Sequence, residues 1–296
     1  MEKSFRGAGV ALITPFNADL TIDFKGLAKI VDNQIENQID YLVILGTTAE
    51  TATLNSAEKQ QIVDFVCEYV GGRIPIVVGV GSNDTQAVID NLSTMDLSNA
   101  DAILSVVPYY SKPTQEGIFQ HYMAIITASP LPVILYNVPG RTGVSMNAET
   151  TLRLANASKK VVATKEASGN FNEITKILRD KPAGFCVLSG DDSLLLPIIA
   201  IGGEGVISVA ANVVPRAIAD LTHLALEGDF KGAAKLHQQL QRICDALFVD
   251  GNPAGAKAAL HSAGIIENVL RLPLVPVTKP TYGVLAEEMS KFFNNK

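Results

Sequence analysis

The sequence predicts an α/β chain folded as a (β/α)8 TIM barrel with a C-terminal helical extension. Three observations lead there. Short apolar runs rich in β-formers recur eight times at spacings of roughly 20–35 residues, with helical patterns between them. Most runs are apolar on both faces and rich in Val and Ile, as parallel strands covered by helices require. The glycine fingerprint of an open dinucleotide-binding sheet is missing. Gly7 and Gly9 do not form it, and Gly79-Val80-Gly81 lacks the third glycine and the acidic partner.

The runs are residues 9–13, 41–45, 74–80, 102–107, 133–138, 161–167, 185–188 and 205–210. After the first, Asp23 precedes Phe24, Leu27, Ile30, Val31 and Gln34, an amphipathic helical spacing. After the second, Asn55 with Glu58 three residues on reads as a capping box before Ile62, Val63 and Val66. Asn83 with Gln86 repeats the arrangement before Val88, Ile89 and Leu92. Gly71-Gly72, Gly184 and Gly202-Gly203 mark returns to strand. From about Pro215 the β-runs stop and helix formers dominate, as in residues 232–247 and 254–263. The expected division is a barrel over residues 1–225 and a helical domain over 226–296.

The chain has 296 residues, enough for a large single core. Its 47% apolar and 18% charged residues read as a soluble globular protein. A net charge of −6 argues against a nucleic-acid or membrane-surface partner. The first residues, Met-Glu-Lys-Ser-Phe-Arg-Gly, carry no secretory pattern, and no run is long enough to span a membrane. Cys67, Cys186 and Cys244 are far apart and odd in number, so reduced thiols in a cytoplasmic protein are expected.

Catalytic groups of a (β/α)8 barrel sit at the C-terminal ends of its strands. Lys165 stands out there, because it is the only Lys or Arg inside any of the eight runs. Alternation puts Val161, Ala163, Lys165 and Ala167 on one face and Glu166 on the other. If the first face lines the barrel, the amine is buried away from Glu166. Desolvation without a carboxylate partner disfavours the ammonium and frees the amine as a nucleophile. The other reading is a side chain that snorkels to water at the strand exit.

Other strand-end residues are weaker. Tyr136 ends an apolar run and could relay a proton, or it could be an ordinary rim tyrosine. Thr47 and Thr48 could bond only within their turn. Arg141 follows a Pro-Gly turn, where it is either solvated or grips a carboxylate. Asp191-Asp192 could hold a divalent cation or cap a helix over residues 193–199. His121, His223, His237 and His261 fall in helical stretches, and no His/Cys/carboxylate spacing supports a metal.

The motifs taken together are more specific than any one residue. They run Gly46-Thr47-Thr48-Ala49-Glu50, then Pro108-Tyr109-Tyr110 with Lys112-Pro113 and Gln115-Glu116-Gly117, then Tyr136-Asn137-Val138-Pro139 with Arg141-Thr142-Gly143, then Lys165-Glu166-Ala167-Ser168-Gly169. Residues 188–192, 205–209, Asn252-Pro253 and 270–273 continue the series. The chain resembles the dihydrodipicolinate synthase family, within the class I aldolase superfamily that includes N-acetylneuraminate lyase, over essentially its whole length.

The resemblance implies that Lys165 forms an imine with pyruvate and that the derived enamine attacks L-aspartate 4-semialdehyde, on the route to diaminopimelate and lysine. It implies a proton relay of Tyr136, Thr47 and Tyr110, with Tyr110 supplied by a neighbouring subunit. Thr48 would hold the pyruvate carboxylate and Arg141 the semialdehyde carboxylate. Ile207 would turn a backbone carbonyl to the site, and Gly190, within the matching 188–192 stretch, joins the substrate-binding set. No cofactor or metal is implied. A homotetramer built as a dimer of dimers is. Two competing readings are a sister aldolase cleaving a 2-keto-3-deoxy sugar acid or N-acetylneuraminate, and a barrel kept as a ligand sensor.

Three departures follow. Ala49 replaces a family glycine, which the loop absorbs if its φ is negative. Gly255 stands where the family often has proline. Ser56, Lys59 and Ala87 occupy positions where lysine-sensitive members carry two histidines and a glutamate, so weak or absent inhibition by L-lysine is expected.

Overall fold

The computed structural model describes residues 5–293. The first four residues, part of the stretch read above for a secretory pattern, and the last three lie outside it. Eight parallel strands close into one barrel in chain order: β1 (Gly7–Ala11), β2 (Tyr41–Ile44), β3 (Ile76–Gly79), β4 (Ala102–Val106), β5 (Val133–Asn137), β6 (Val161–Glu166), β7 (Cys186–Ser189) and β8 (Gly205–Ser208). β8 returns to β1 with Gly7 opposite Gly205 and Gly9 opposite Ile207. All eight expected strands are present, and the open-sheet alternative is excluded.

Helices cover the outside: α1 (Phe24–Glu36), α2 (Ser56–Val70), α3 (Thr85–Thr94), α4 (Gln115–Ala128), the one-turn α5 (Pro139–Thr142), α6 (Ala148–Ala157), α7 (Phe171–Asp180), α8 (Leu195–Ala200) and α9 (Pro215–Glu227). The helical extension adds α10 (Phe230–Ala246), α11 (Ala254–Ser262) and α12 (Lys279–Phe293). No helix among the described residues is long and apolar enough to cross a membrane.

The polar residues between the strands start the helices as their chemistry dictates. The Asp23 carboxylate accepts the Gly26 N–H at 2.9 Å. Asn55 and Glu58 form the expected capping box, each side chain accepting the other's backbone N–H. The third cap differs from expectation by one residue. Asp84, not Asn83, caps α3, accepting the Gln86 N–H at 3.0 Å. An aspartate reaches the N–H two residues ahead from an extended backbone, and Asp84 has that backbone.

Two apolar layers make the core. The larger lies between strands and helices. The smaller fills the barrel and includes Tyr41, Val43, Val77, Leu104, Ile134, Tyr136, Ala163, Leu188 and Ile207. The predicted alternation on β6 holds from Ala163 onward and fails at Val161, which packs in the outer layer. A register shift between Val133 and Ile134 skips Val162 in the pairing, so the period-two pattern restarts there.

Strand ends moved where a side chain from elsewhere in the chain took a backbone bond. β1 stops at Ala11 because the Asn212 side-chain Oδ1, not a neighbouring strand, accepts the Ile13 N–H at 3.1 Å. β8 stops at Ser208 because the buried Asp192 carboxylate accepts the N–H groups of Val209 and Ala210, at 3.1 and 3.0 Å. Asp191 accepts the Ser193 N–H at 2.8 Å, so the helix-cap reading of this pair is the observed one. The four histidines pack among helices. His121 bonds Thr85, His223 bonds Asp40 and His261 bonds Tyr282, each at 2.8 Å.

Candidate active site

The C-terminal mouth of the barrel holds a cavity of about 630 Å³. Thr47, Tyr136 and Arg141 line it, with Lys59, Tyr109 and Asn252. A slightly larger hollow of about 690 Å³ lies at the opposite end, beside Ile76 and Asp101, and holds none of the predicted site residues. Chemistry in this fold belongs at the strands' C-terminal ends, which favours the smaller cavity.

Lys165 is buried on β6, directly opposite Tyr136 of β5 in the strand register. Its Nζ lies 4.4 Å from the centre of the Tyr136 ring, a cation–π distance. No carboxylate among the described residues pairs with it. Glu166 turns the other way and is itself buried, where its carboxylate accepts both Asn137 Nδ2–H contacts at 3.1 Å and the Ser168 N–H at 2.9 Å. Burial pushes that carboxyl's pKa up. The two faces of one strand thus separate an amine from the nearest acid, as alternation predicts.

Gly190 explains how the lysine is seated. A Cβ there would lie 2.7 Å from Ala167 Cβ and 3.1 and 3.2 Å from Lys165 Cε and Cγ. The absent side chain is the space that the Lys165 stem occupies. Ile207 is fully buried in the barrel layer on β8.

Thr47 and Thr48 sit on a 3-10 turn, Thr47–Ala49, that follows β2. Thr47 is exposed to the cavity, whereas Thr48 is buried and its Oγ1 accepts from Asn252 Nδ2 at 2.9 Å. The left-handed residue of the turn is Glu50 (φ 54°, ψ 34°), not Ala49, so the Ala49 departure is absorbed without strain. Arg141 lies on the one-turn helix α5, started by Pro139 and ended by Gly143 at φ 73°. Its exposed guanidinium has no ion-pair partner among the described residues.

Tyr110 does not join this group within one chain. It follows β4 at φ 72°, its backbone N–H reaching the Thr142 carbonyl at 3.3 Å, and its side chain is 89% exposed. The hydroxyls of Tyr136, Thr47 and Tyr110 make no hydrogen bond to one another.

Sequence reasoning missed the part played by the C-terminal segment. Asn252, Pro253, Pro273 and Leu274 wall the cavity. Glu50 is the only acid on that wall, and Lys257 of α11 neutralises it at 2.5 Å, with both side chains fully buried. Burial lowers the Lys257 pKa to about 8, against the pull of Glu50. A lysine inside the apolar stretch of residues 254–260 is the same signal that marked Lys165, but it lay in a helix and not at a strand end. With Glu50 consumed, Arg141 and Lys59 leave the cavity electropositive, suited to carboxylate ligands.

A model of the Dihydrodipicolinate synthetase family matches residues 4–291. The chain belongs to the dihydrodipicolinate synthetase family. Its relatives include the 4-hydroxy-tetrahydrodipicolinate synthases of Azobacteroides pseudotrichonymphae, 55% identical over 287 residues, 97% of each chain, and Parabacteroides distasonis, 54% identical over 284 residues, 96% of each. A solved family structure, the chloride-inhibited dihydrodipicolinate synthase from Acinetobacter baumannii complexed with pyruvate, is 36% identical. It superposes with a TM-score of 0.94 over 98% of this chain and 99% of that one. Family membership therefore covers the barrel and the helical extension together, cavity wall included.

Proposed function

We propose that this chain is a lyase that condenses pyruvate with L-aspartate 4-semialdehyde to give 4-hydroxy-tetrahydrodipicolinate, in diaminopimelate and lysine biosynthesis, through an imine on Lys165. The observation that carries the reading is a buried amine with no carboxylate partner among the described residues. It packs against a wall of an electropositive cavity. Relatives more than 50% identical over nearly the whole chain carry this activity in their names.

The residues divide the work by position. The Lys165 amine adds to C2 of pyruvate and water leaves, giving an imine whose positive nitrogen acts as the electron sink. A methyl proton is lost and the enamine carbon attacks the aldehyde carbon of the second substrate. The amino group of that substrate then displaces Lys165 from C2, closing the ring and freeing the enzyme. Tyr136, beside the amine, exchanges protons with the carbinolamine, relayed through Thr47. The Thr47-Thr48 turn holds the pyruvate carboxylate. Arg141, unpaired at the mouth, holds the semialdehyde carboxylate in a two-pronged charge-assisted contact. Ile207 supplies a backbone carbonyl, and Gly190 gives the lysine its space beside the substrate.

Tyr110 completes the relay from a second copy of the chain. Its exposed ring, carried outward from the end of β4, is suited to an entry into a neighbour's site. The working form is a homotetramer built as a dimer of dimers, acting in the cytoplasm.

The test is a coupled assay with pyruvate and L-aspartate 4-semialdehyde beside Lys165→Ala, plus mass spectrometry after pyruvate and borohydride. The expected result is turnover in the wild type, none in the variant, and a reduced pyruvate adduct on Lys165. An adduct elsewhere, or none, overturns the assignment.

A further inference from the structure

The turn that carries Thr47 and Thr48 is held from more than 200 residues away. Asn252 Nδ2 donates to Thr48 Oγ1 at 2.9 Å. Glu50, the next residue but one, pairs through Oε1 with Lys257 Nζ at 2.5 Å and accepts the Arg271 N–H on Oε2 at 3.0 Å. Lys257 also donates to the Val269 carbonyl at 2.9 Å and lies 4.0 Å from the centre of the Phe16 ring. Arg271 donates to the Thr53 carbonyl at 3.0 Å and forks onto Glu58, in the first turn of α2, at 2.5 and 2.9 Å.

A buried ion pair is a poor way to gain stability. Desolvating both ions offsets most of their attraction, and apolar residues of similar volume often do as well. What such a pair provides is direction. Its partners must meet at close range, and here one partner sits in a left-handed backbone conformation that only an over-determined turn sustains. The helix that carries Lys257 is also seated tightly. A Cβ at Gly255 would lie 2.1 Å from the Leu247 carbonyl oxygen, so a proline there would force α11 away from α10.

We propose that Lys257, Glu50 and Asn252 are positioning residues for pyruvate, holding the Thr47-Thr48 turn in the geometry that receives the substrate carboxylate. The helical extension is thereby part of the pyruvate subsite. The proposal rests on the reading that this turn binds that carboxylate.

Steady-state kinetics with each substrate varied separately test it on Lys257→Met, Glu50→Gln and Asn252→Ala, with Thr48→Val and His223→Ala in parallel. The expected result is a pyruvate KM raised about tenfold or more in the first two variants and about threefold to tenfold in Asn252→Ala. The semialdehyde KM stays within about twofold. His223→Ala, at the far end of the barrel, lowers the thermal midpoint without moving either KM. A general loosening would move both constants together, and that outcome overturns the proposal. If Lys257→Met does not fold, Asn252→Ala, which removes the hydrogen bond to Thr48 and leaves the ion pair intact, carries the test alone, and an unchanged pyruvate KM there overturns it. Thr48→Val separates the two ideas. If it leaves the pyruvate KM unchanged, the carboxylate reading itself fails. If it raises that KM while the clamp variants do not, the clamp alone fails.

Discussion

Replacing Gly190 by alanine places a methyl group where the Lys165 stem runs. The added Cβ would sit 2.7 Å from Ala167 Cβ and 3.1 and 3.2 Å from two carbons of Lys165. Carbon atoms in contact settle at about 3.5–4.0 Å, so the Ala167 pair must part by about 1 Å and the lysine by roughly half that. Lys165 is buried on the inward face of β6 and can yield little, whereas Ala167 is half-buried just beyond the end of the strand. Overpacking of this kind costs about 1–3 kcal/mol of stability. Its effect on chemistry follows from the lysine's share of the shift: a misplacement of about 1 Å costs about 100-fold in rate, so roughly half of that costs about tenfold. The assay is the rate at which borohydride traps pyruvate on Lys165, measured beside thermal unfolding. Gly190→Ala is expected to stay folded and to trap about tenfold more slowly. A trapping rate within about twofold of wild type would show that Gly190 does not set the position of Lys165.

Three further outcomes are expected. Arg141→Met raises the KM for the semialdehyde and lowers kcat/KM about 10–100-fold, the worth of a charge-assisted bond, with pyruvate trapping unchanged; slowed trapping would place Arg141 at the first substrate instead. L-lysine at millimolar concentration inhibits weakly or not at all, because Ala87 replaces the glutamate that would grip its amine and Lys59 adds a like charge; strong inhibition in the forward assay refutes this. His223 bonds Asp40 at 2.8 Å, and that hydrogen bond, aided by Asp220 and Glu227, raises its pKa against partial burial. A histidine favoured in its charged form stabilises fully below its unfolded pKa of about 6.5 and loses that contribution as pH rises through the folded value. The thermal midpoint of the wild type should therefore exceed that of His223→Gln at about pH 6 and approach it at about pH 9; a constant gap would mean that the protonated pair adds nothing.

Where the sequence was read through periodicity, it was legible to within a few residues. Eight runs of Val and Ile located eight strands, since a strand buried on both faces has to be apolar throughout. The Asn55–Glu58 box located a helix start because capping chemistry is local. The misplacements came where a distant group took over a backbone bond. Asn212 ended β1 and Asp192 ended β8, and no local pattern announces either. The shift at Val162 similarly depends on how β5 and β6 meet.

The sequence by itself determined where a buried amine would lie and which family the chain joins. Lys165, alone among eight apolar runs, announced a buried amine, and the ordered motifs around it marked the family, because both are properties of residue type and order. Only the tertiary structure decided how those residues are held. It gave Gly190 its role as the space for a lysine stem, sent Tyr110 outward from its own cavity, and left Arg141 unpaired at the mouth. It also joined Asn252, Lys257 and Arg271 to a turn more than 200 residues earlier in the chain. The physical reason is one of range. Propensity and alternation act over a few residues, whereas an ion pair or a shared cavity wall depends on distances that exist only once the barrel has closed.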